Sequence, residues 1–335
     1  MRAQVGIIGG GPAGLFLGLL LQQAGVEAVV LERHSRAHVE ARVRAGMLEP
    51  GTVALMERLG LAGRMRREGL VHAGINLAAD GEMFRIDFAA LTGRTMTVYG
   101  QSEVMRDLYD AAAARGLALI FEADDVRAHD LATDRPHLTW MQNGAQHRLD
   151  CDAIAGCDGF HGVSRASIPP DALTTFERAW PFGWLGILAD APPADEELIY
   201  CSHERGFALA TMRSPTRSRY YLQCPLDERL EDWPDERFWD ELCLRLGPRA
   251  AAGVTRAPAF EKSIAPLRSF VAEPMRYGRL FLAGDAAHIV PPTGAKGLNL
   301  AASDVVFLAE ALTQFFGDGS SAGLEHYSDR ALARV

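Results

Sequence analysis

A glycine-rich turn between an apolar strand and an apolar helix constrains the fold more than any other feature of this sequence. Residues 4–8 form an apolar segment of strand length, and residues 9–14 read Gly-Gly-Gly-Pro-Ala-Gly directly before a helical segment. In such a unit Gly9 makes the tight turn, Gly11 leaves room for a pyrophosphate at the positive helix end, and Gly14 lets the helix pack closely on the strand. The pattern therefore predicts the nucleotide-binding unit of an open α/β sheet.

The acidic residue that such a unit needs is present at Glu32. Residues 28–31 form a second apolar strand that ends on it, close to the offset of roughly 20 residues at which a carboxylate binds a ribose hydroxyl. Arg42 and Arg44 follow; they belong either to a solvated face or to a guanidinium contact with the pyrophosphate. A purely structural glycine turn is the alternative to dinucleotide binding, and the motif alone does not separate FAD from NAD.

Two later strands also end on a carboxylate beside a glycine. Residues 149–157 lead into Asp158, and the apolar run from Leu280 leads into Asp285. Open α/β sheets bind ligands at the carboxyl ends of their strands, so the two carboxylates converge on one ligand if both strands share a sheet. After Asp285, a proline pair and two glycines form a loop that lets a ligand approach the backbone closely. A plain strand, turn and helix without a ligand is the simpler interpretation.

The middle of the chain changes to strands with aromatic and arginine residues, interrupted by a helix at 236–246. The predicted strands are residues 182–189, 198–201, 206–213 and 218–225. They place five polar side chains among apolar neighbours: Tyr200, Thr211, Arg213, Arg219 and Tyr221. A buried tyrosine most often makes only a structural hydrogen bond. A buried guanidinium needs an anion, from the protein or from a substrate.

Composition excludes several classes of protein. The 335 residues, 48% of them hydrophobic, are enough for two domains, and the net charge of −9 gives no basic excess for nucleic acid. No uninterrupted run of about 18 apolar residues and no basic leader are present, so we expect no membrane partner and a cytoplasmic location. The odd number of dispersed cysteines predicts reduced thiols and no metal site. These cysteines are Cys151, Cys157, Cys201, Cys224 and Cys243.

With the glycine-rich turn and Glu32, Asp158-Gly159 and Gly284-Asp285 in this order, the chain resembles the group A flavoprotein aromatic hydroxylases. The resemblance runs through nearly the whole chain. It is densest over residues 42–49, 150–164, 182–189, 217–221 and 261–304.

The resemblance implies an α/β fold in which a Rossmann-like FAD-binding domain is interleaved with a substrate domain of mixed or antiparallel β-sheet, of α+β type. Since the sequence leaves the nucleotide domain twice and returns each time, we assign residues 1–72, 97–175 and 268–335 to the FAD-binding domain. Residues 73–96 and 176–267 form the predicted substrate domain.

The activity implied by the resemblance is hydroxylation of 4-hydroxybenzoate to 3,4-dihydroxybenzoate. FAD is the implied cofactor, NADPH or NADH the co-substrate, and O2 the oxidant, through a flavin hydroperoxide. A homodimer is implied, with a small aromatic acid as the ligand. Two alternatives stay open: hydroxylation of another phenolic acid such as 3-hydroxybenzoate or salicylate, and flavin-dependent oxidation of NAD(P)H without productive hydroxylation.

The resemblance also implies the site residues. Those expected to take part in catalysis are Tyr200, Pro292, His72 at the solvent end of a proton relay, Lys296 and Asn299. Those expected to bind the substrate are Tyr200, Thr211, Met212, Arg213, Tyr221 and Pro292. Those expected to bind FAD are Gly9, Gly11, Ala13, Gly14, Glu32, Arg42, Arg44, Gln101, Asp158, Asp285, Leu298 and Asn299. Those expected to contact the nicotinamide nucleotide are Arg33, His161 and Arg268, and Arg219 and Lys296 supply positive charge near the flavin.

Three departures from the family pattern stand out. Thr211 occupies a position where the family usually has serine, and its extra methyl group predicts a tighter carboxylate pocket. Residues 34–38 differ from the NADPH-using members, which leaves the choice of reductant open. The family's C-terminal helices, which supply a second relay tyrosine, have no counterpart among these residues.

Overall fold

Two large sheets organise the chain, and a computed structural model describes them for residues 1–40 and 46–335. Arg42 and Arg44, predicted to bind FAD, lie outside the described residues. The strands are β1 (Val5–Ile8), β2 (Ala28–Leu31), β3 (Met47–Leu48), β4 (Leu70–His72), β5 (Gly74–Ala79), β6 (Glu82–Asp87), β7 (Met96–Val98), β8 (Ala118–Ile120), β9 (Asp124–His129), β10 (His137–Gln142), β11 (Ala145–Asp150), β12 (Ala153–Gly156), β13 (Thr174–Ala189), β14 (Ile199–Ser202), β15 (Ala208–Ser214), β16 (Arg217–Pro225), β17 (Ala259–Glu273), β18 (Arg276–Tyr277), β19 (Leu280–Leu282) and β20 (His288–Ile289). The helices are α1 (Pro12–Gln23), α2 (Arg36–Glu40), α3 (Pro50–Arg58), α4 (Ala62–Glu68), α5 (Phe88–Thr92), α6 (Gln101–Ala114), α7 (Val163–Ala166), α8 (Asp235–Ala251), α9 (Lys296–Asp318), α10 (Ala322–Glu325) and α11 (Tyr327–Leu332).

The first sheet has the strand order β18-β19-β12-β1-β2-β8. Its strands from β19 to β8 are parallel, and β18 joins antiparallel at one edge. β1 and β12 are buried along their whole length, as expected for parallel strands covered on both faces. β1, β12 and β19 are parallel neighbours, so the glycine-rich turn, Asp158 and Asp285 all follow the carboxyl ends of these strands, on the same side of the sheet. The predicted α/β fold is confirmed.

The second sheet has eight strands in the order β20-β17-β13-β16-β15-β14-β5-β6. It is antiparallel except for the parallel pair of β14 and β5. Side chains alternate along β15: Ala208 and Ala210 pack in an apolar cluster with Phe238 and Leu242 of α8, and the residues between them face the other way. β17 continues to Glu273, so it crosses the boundary that we placed between residues 267 and 268.

Helix α9 is long and apolar enough, by length and composition, to cross a membrane, with a mean hydropathy of 1.3 over its most apolar window. The expectation concerned an uninterrupted apolar run of that length, and α9 is not such a run. Asp304 and Glu310 interrupt the apolar residues, so a search for uninterrupted runs does not find the helix. Half of that window is buried within the protein, and α9 packs against α1 and α3. Packing inside the fold accounts for its apolar composition.

A buried ionic cluster ties α8 to the back of the second sheet. Arg245 Nε lies 2.8 Å from Glu241 Oε1, and Arg205 Nη2 lies 2.7 Å from Glu241 Oε2. Arg245 also donates to the carbonyl oxygens of Gln223 and Phe207. Glu241 and Arg245 are both buried. Removing the carboxylate charge therefore leaves a desolvated guanidinium without its anion.

We expect Glu241→Gln to lower the free energy of unfolding by about 1–3 kcal/mol, measured by urea denaturation. Asp240→Asn on the same helix is the matched control. Asp240 pairs with Arg256, but its side chain is 69% exposed, so the control is expected to change stability by less than about 0.5 kcal/mol. Equal effects of the two variants would contradict this account of the cluster.

Candidate active site

Two glycines of the glycine-rich turn are required by close packing against the backbone, and a third faces open space. A Cβ added to Gly9, whose φ is +104°, would lie 2.3 Å from the carbonyl oxygen of Cys157, and one added to Gly14 would lie 1.9 Å from that of Gly9. A Cβ on Gly11 would meet nothing within 4 Å among the described atoms. The first turn of α1 carries no acidic residue. The turn thus leaves an unobstructed, positive helix end, which fits a pyrophosphate.

Glu32 is held beside this turn. Its Oε2 accepts from the backbone N–H of Gly10 at 2.8 Å, and its Oε1 accepts from that of His34 at 2.8 Å. The hydroxyl of Tyr109 donates to the carbonyl of Gly10 at 2.9 Å. These bonds fix the carboxylate at the end of β2, where the dinucleotide fold uses it for the ribose.

Asp158 and Asp285 adjoin the same turn in different ways. Asp158 Oδ2 accepts from both N–H and O–H of Ser164, each at 2.9 Å, and burial raises the pKa of Asp158. Its carboxylate therefore stabilises its own loop. Asp285 is exposed between buried neighbours. A Cβ added to the preceding Gly284 would lie 3.1 Å from the Cβ of Ala301 in α9, and 3.6 Å from the Cβ of Ala13 in the first turn of α1. The exposed Asp285 is thus placed at the helix end where FAD is expected.

Asn299 joins the loop before α9 to the segment after β3. Its Oδ1 accepts from Glu49 N–H at 2.8 Å and from Thr52 O–H at 2.7 Å. Its Nδ2 donates to the carbonyls of Met47 at 2.9 Å and Ala295 at 3.0 Å. All four hydrogen-bonding positions of the amide are thus used within the chain, and Asn299 acts here by holding two segments together. Leu298 and Gln101 are both partly buried, Leu298 beside Asn299 and Gln101 at the start of α6.

A small cavity opens between the front face of the second sheet and this loop. Its lining is apolar and aromatic apart from a few polar groups, as in small-molecule sites generally. The lining residues are Gly46, Met47, Val98, Trp184, Leu198, Tyr200, Leu209, Thr211, Arg213, Tyr221, Pro292, Thr293 and Ala295. Among these described residues, Arg213 alone carries a charge.

Arg213 has no carboxylate partner among the described residues. Its Nη1 donates to the carbonyl of Met212 at 2.9 Å and to Thr211 Oγ1 at 3.3 Å, while its Nε is buried without a hydrogen-bond partner within the described chain. Burial lowers the pKa of Arg213 below its ordinary value. A buried guanidinium without an internal anion is costly, so the cavity is suited to an anionic ligand.

Tyr200 supplies the polar group at another part of the cavity. Its hydroxyl donates to the carbonyl of Thr293 at 2.9 Å, and burial raises the pKa of Tyr200. Tyr200 pairs with Leu209 of β15, and Arg213 lies four residues further along that strand, about 13 Å at 3.3 Å per residue. The cavity therefore offers a cation and a phenolic hydroxyl at separated positions.

Several other predicted residues have protein partners in the structure. Arg219 Nη1 contacts Glu261 Oε1 at 2.5 Å, and Lys296 is paired with Glu49. Their positive charges are therefore partly compensated. Met212, predicted to bind substrate, is not among the described residues that line the cavity; its contribution is the carbonyl that orients Arg213.

His72 is not at the solvent surface, contrary to expectation. It is 1% exposed, and neither ring nitrogen has a hydrogen-bond partner among the described residues. Its strand β4 pairs with β7, which places the ring inside the protein. Burial lowers the pKa of His72 below its ordinary value.

This burial predicts an acid-dependent loss of stability. Because the unfolded chain binds the proton at a higher pH than the folded protein, the contribution of neutral His72 is present above about pH 6.5 and is lost as the pH falls below that value. The free energy of unfolding of His72→Gln, measured by urea denaturation, should therefore fall less steeply between pH 7.5 and 5 than that of the unaltered protein, by up to about 1.4 kcal/mol per pH unit. The same substitution at exposed His147 is the control, and identical slopes in His72→Gln and the unaltered protein would refute the prediction.

Two of the residues predicted to contact nicotinamide meet around one aromatic ring. The ring of His161 lies 5.0 Å from that of Phe160, and the Arg268 guanidinium lies 4.8 Å from the same ring. Arg33 lies elsewhere, after β2, with Nη2 3.3 Å from His34 Nε2. Arg165, which had no predicted role, donates to the carbonyls of Phe160 at 2.6 Å and Ala286 at 2.8 Å. Its position shortly after Asp158 was the available signal.

Sequence reasoning also missed the apolar lining of the cavity, chiefly Trp184, Leu198 and Leu209. The signal was the alternation of β-strand side chains. Leu209 and Thr211 are two residues apart, as are Leu198 and Tyr200, so each apolar residue shares a face with a predicted polar one.

Comparison with known proteins places these features in a family. A family model described as an FAD binding domain matches residues 2–335. A p-hydroxybenzoate hydroxylase from Acinetobacter baylyi is 54% identical, over 100% of this chain and 83% of the relative. A para-nitrophenol 4-monooxygenase from a Pseudomonas species is 28% identical, over 96% of this chain and 81% of the relative.

Solved structures agree on the fold. PqsL of P. aeruginosa, in complex with 2-aminobenzoylacetate, superposes with a TM-score of 0.85 at 23% identity, covering 100% of this chain and 92% of that one. The p-nitrophenol 4-monooxygenase PnpA from Pseudomonas putida gives 0.83 at 24% identity, covering 98% and 85%. Since the family model spans almost the whole chain and the 54% identical relative covers all of it, this chain belongs to the FAD-binding group A flavoprotein aromatic hydroxylases.

Proposed function

We propose that this chain is a flavin-dependent monooxygenase that converts 4-hydroxybenzoate to 3,4-dihydroxybenzoate with NAD(P)H and O2. The observation that carries the proposal is the Arg213 guanidinium, whose Nε is buried and which lines the cavity without an anion of its own among the described residues. The 54% identical relative, a p-hydroxybenzoate hydroxylase, supports the same substrate.

The cavity matches the three parts of this substrate. The carboxylate pairs with Arg213, assisted by the hydroxyl of Thr211, through charge-assisted hydrogen bonds. The ring packs among the apolar lining, with Trp184 as the largest side chain. The phenol oxygen lies at Tyr200. A 3-hydroxy or 2-hydroxy isomer brings its phenol oxygen to a different place when its carboxylate is held at Arg213, which favours the 4-hydroxy acid.

The residues described around the nucleotide turn fit FAD. Gly11 and the first turn of α1 receive the pyrophosphate, Glu32 the ribose, and Asp285 the ribityl side. When bound, FAD supplies the redox chemistry that activates O2.

The chain itself orients the substrate and supplies a hydrogen bond to its phenol oxygen. Tyr200 donates to the carbonyl of Thr293. Rotation of this O–H onto the substrate oxygen stabilises the phenolate, the form of the ring that is more reactive towards an electrophile. Because burial raises the pKa of Tyr200, its hydroxyl stays protonated near neutral pH and remains able to donate.

The proposal extends to reductant, assembly and location. His161 and Arg268, gathered around Phe160, form the proposed contact for the nicotinamide nucleotide. A homodimer and a cytoplasmic location are proposed on the family resemblance and the composition, and sedimentation velocity of the purified protein tests the first.

One assay tests the function. The purified protein, saturated with FAD, is mixed with NADH or NADPH and each of 4-hydroxybenzoate, 3-hydroxybenzoate and salicylate, and dihydroxy product and peroxide are both measured. We expect product from 4-hydroxybenzoate close to the amount of reductant consumed. Peroxide without product would support uncoupled oxidation, and greater product from another isomer would replace the proposed substrate.

A further inference from the structure

A buried carboxylate and imidazole lie beneath the FAD-binding edge and take no part in the function described above. Asp304 is 0% exposed and His288 is 2% exposed. His288 Nε2 lies 2.7 Å from Asp304 Oδ2. Burying such a pair is costly unless the geometry is good and it serves a structural or functional purpose.

The pair is connected directly to the turn that carries Asp285. The same Oδ2 of Asp304 accepts from the backbone N–H of Gly284 at 2.9 Å. Gly284 has a φ of +63°, a left-handed conformation that glycine adopts without steric cost. His288 is the first residue of β20, after the turn. One carboxylate oxygen of α9 therefore holds both ends of the segment 284–288.

Asp285 is the exposed residue inside this clamped segment. Ala286 and Ala287 on one side of it are buried, as is Gly284 on the other. Asp285 thus projects from a turn whose backbone cannot shift without breaking a buried hydrogen bond. Loss of the Asp304 contacts would leave the Gly284 N–H and the His288 ring unsatisfied, and the turn would move to satisfy them.

We propose that Asp304 and His288 form a positioning pair that fixes the Asp285 turn for FAD. Asp304 contacts the turn and not the cofactor, so its effect on FAD is transmitted through Gly284. The inference rests on Asp285 holding FAD, as stated under the proposed function.

The test measures two quantities. One is the dissociation constant of FAD from the protein, obtained by titrating the apoprotein and recording the quenching of FAD fluorescence, and the other is the thermal midpoint of the apoprotein. We expect Asp304→Asn and His288→Gln each to raise the FAD dissociation constant by about tenfold. Glu241→Gln is the matched control, since it weakens a buried ion pair on α8, away from the turn. It should lower the thermal midpoint and leave the FAD dissociation constant within about twofold of the unaltered protein.

The double variant Asp304→Asn/His288→Gln adds a second criterion. If the two side chains act as one unit, its FAD dissociation constant should be close to that of either single variant, because the same contact is lost in each case. Independent, multiplying effects would overturn the pairing.

Asp285→Asn separates failure of the inference from failure of its premise. A normal FAD affinity in the Asp304 and His288 variants, with a weakened one in Asp285→Asn, overturns the positioning role alone. Normal affinity in all of them removes Asp285 from FAD binding and the inference with it. An equal loss in Glu241→Gln for the same drop in thermal midpoint would assign the effect to general destabilisation and overturn the proposal.

Discussion

Replacing Arg213 with alanine is expected to raise the dissociation constant of 4-hydroxybenzoate by about 100-fold or more, equivalent to about 3 kcal/mol. The guanidinium is the one charged group among the described lining residues. Without it the substrate carboxylate is desolvated and gains no cation in return. Equilibrium binding to the FAD-loaded protein, read from the change in flavin absorbance, measures the effect.

Two controls identify the lost interaction as the carboxylate contact. Arg217→Ala removes a nearby arginine that pairs with Asp190 and is 45% exposed, and it should leave affinity unchanged. Phenol, which lacks the carboxylate, should bind equally to the unaltered protein and to Arg213→Ala. If Arg213→Ala weakened phenol and 4-hydroxybenzoate alike, the variant would have damaged the cavity as a whole, and the assignment of Arg213 would fail.

Replacing Tyr200 with phenylalanine is expected to slow hydroxylation by about 100-fold, the lower end of what one hydrogen-bond donor to an oxyanion contributes. Only the hydroxyl is lost, so the ring still fills its place beside Phe207. The measurement is the yield of dihydroxybenzoate and of peroxide per reductant consumed. We expect much more peroxide and much less dihydroxybenzoate than with the unaltered protein. FAD binding should stay unchanged.

Tyr220→Phe is the matched control for this variant. Tyr220 lies on β16 with its ring 5.2 Å from that of Trp239 of α8, on the opposite face of the same sheet. Its loss of a hydroxyl should leave the product yield unchanged. A normal yield in Tyr200→Phe would show that this hydroxyl does not stabilise the substrate phenolate.

Much of the nucleotide edge could be predicted from sequence, because its chemistry is local. Gly9, Gly11 and Gly14 lie within six residues, and their spacing specifies the turn. Arg213 and Thr211 could be assigned to one face of a strand because side chains alternate with a period of two. Patterns of this kind are complete within a short window of sequence.

The contacts that sequence did not predict join residues far apart in the chain. Asn299 binds Glu49 and Thr52, about 250 positions earlier, through an amide whose partners leave no local pattern. Arg219 and Glu261 are 42 positions apart and meet only because β16 and β17 flank β13. The burial of His72 likewise depends on how separate strands pack, which no window of sequence contains.

The short connection between β19 and β20 has a practical consequence. β19 belongs to the parallel sheet and β20 to the eight-stranded sheet, so the chain passes from one sheet to the other between Leu282 and His288. This connection contains Asp285, which is expected to bind FAD. We therefore expect that cutting only at the predicted domain boundaries does not give two domains that fold as separate fragments. For the same reason, such cuts do not suffice to replace the eight-stranded sheet with that of another hydroxylase. A chimaera that exchanges the eight-stranded sheet must include β17 and the turn from β19 to β20. Changing the substrate range by recombination therefore also changes residues that are expected to bind FAD.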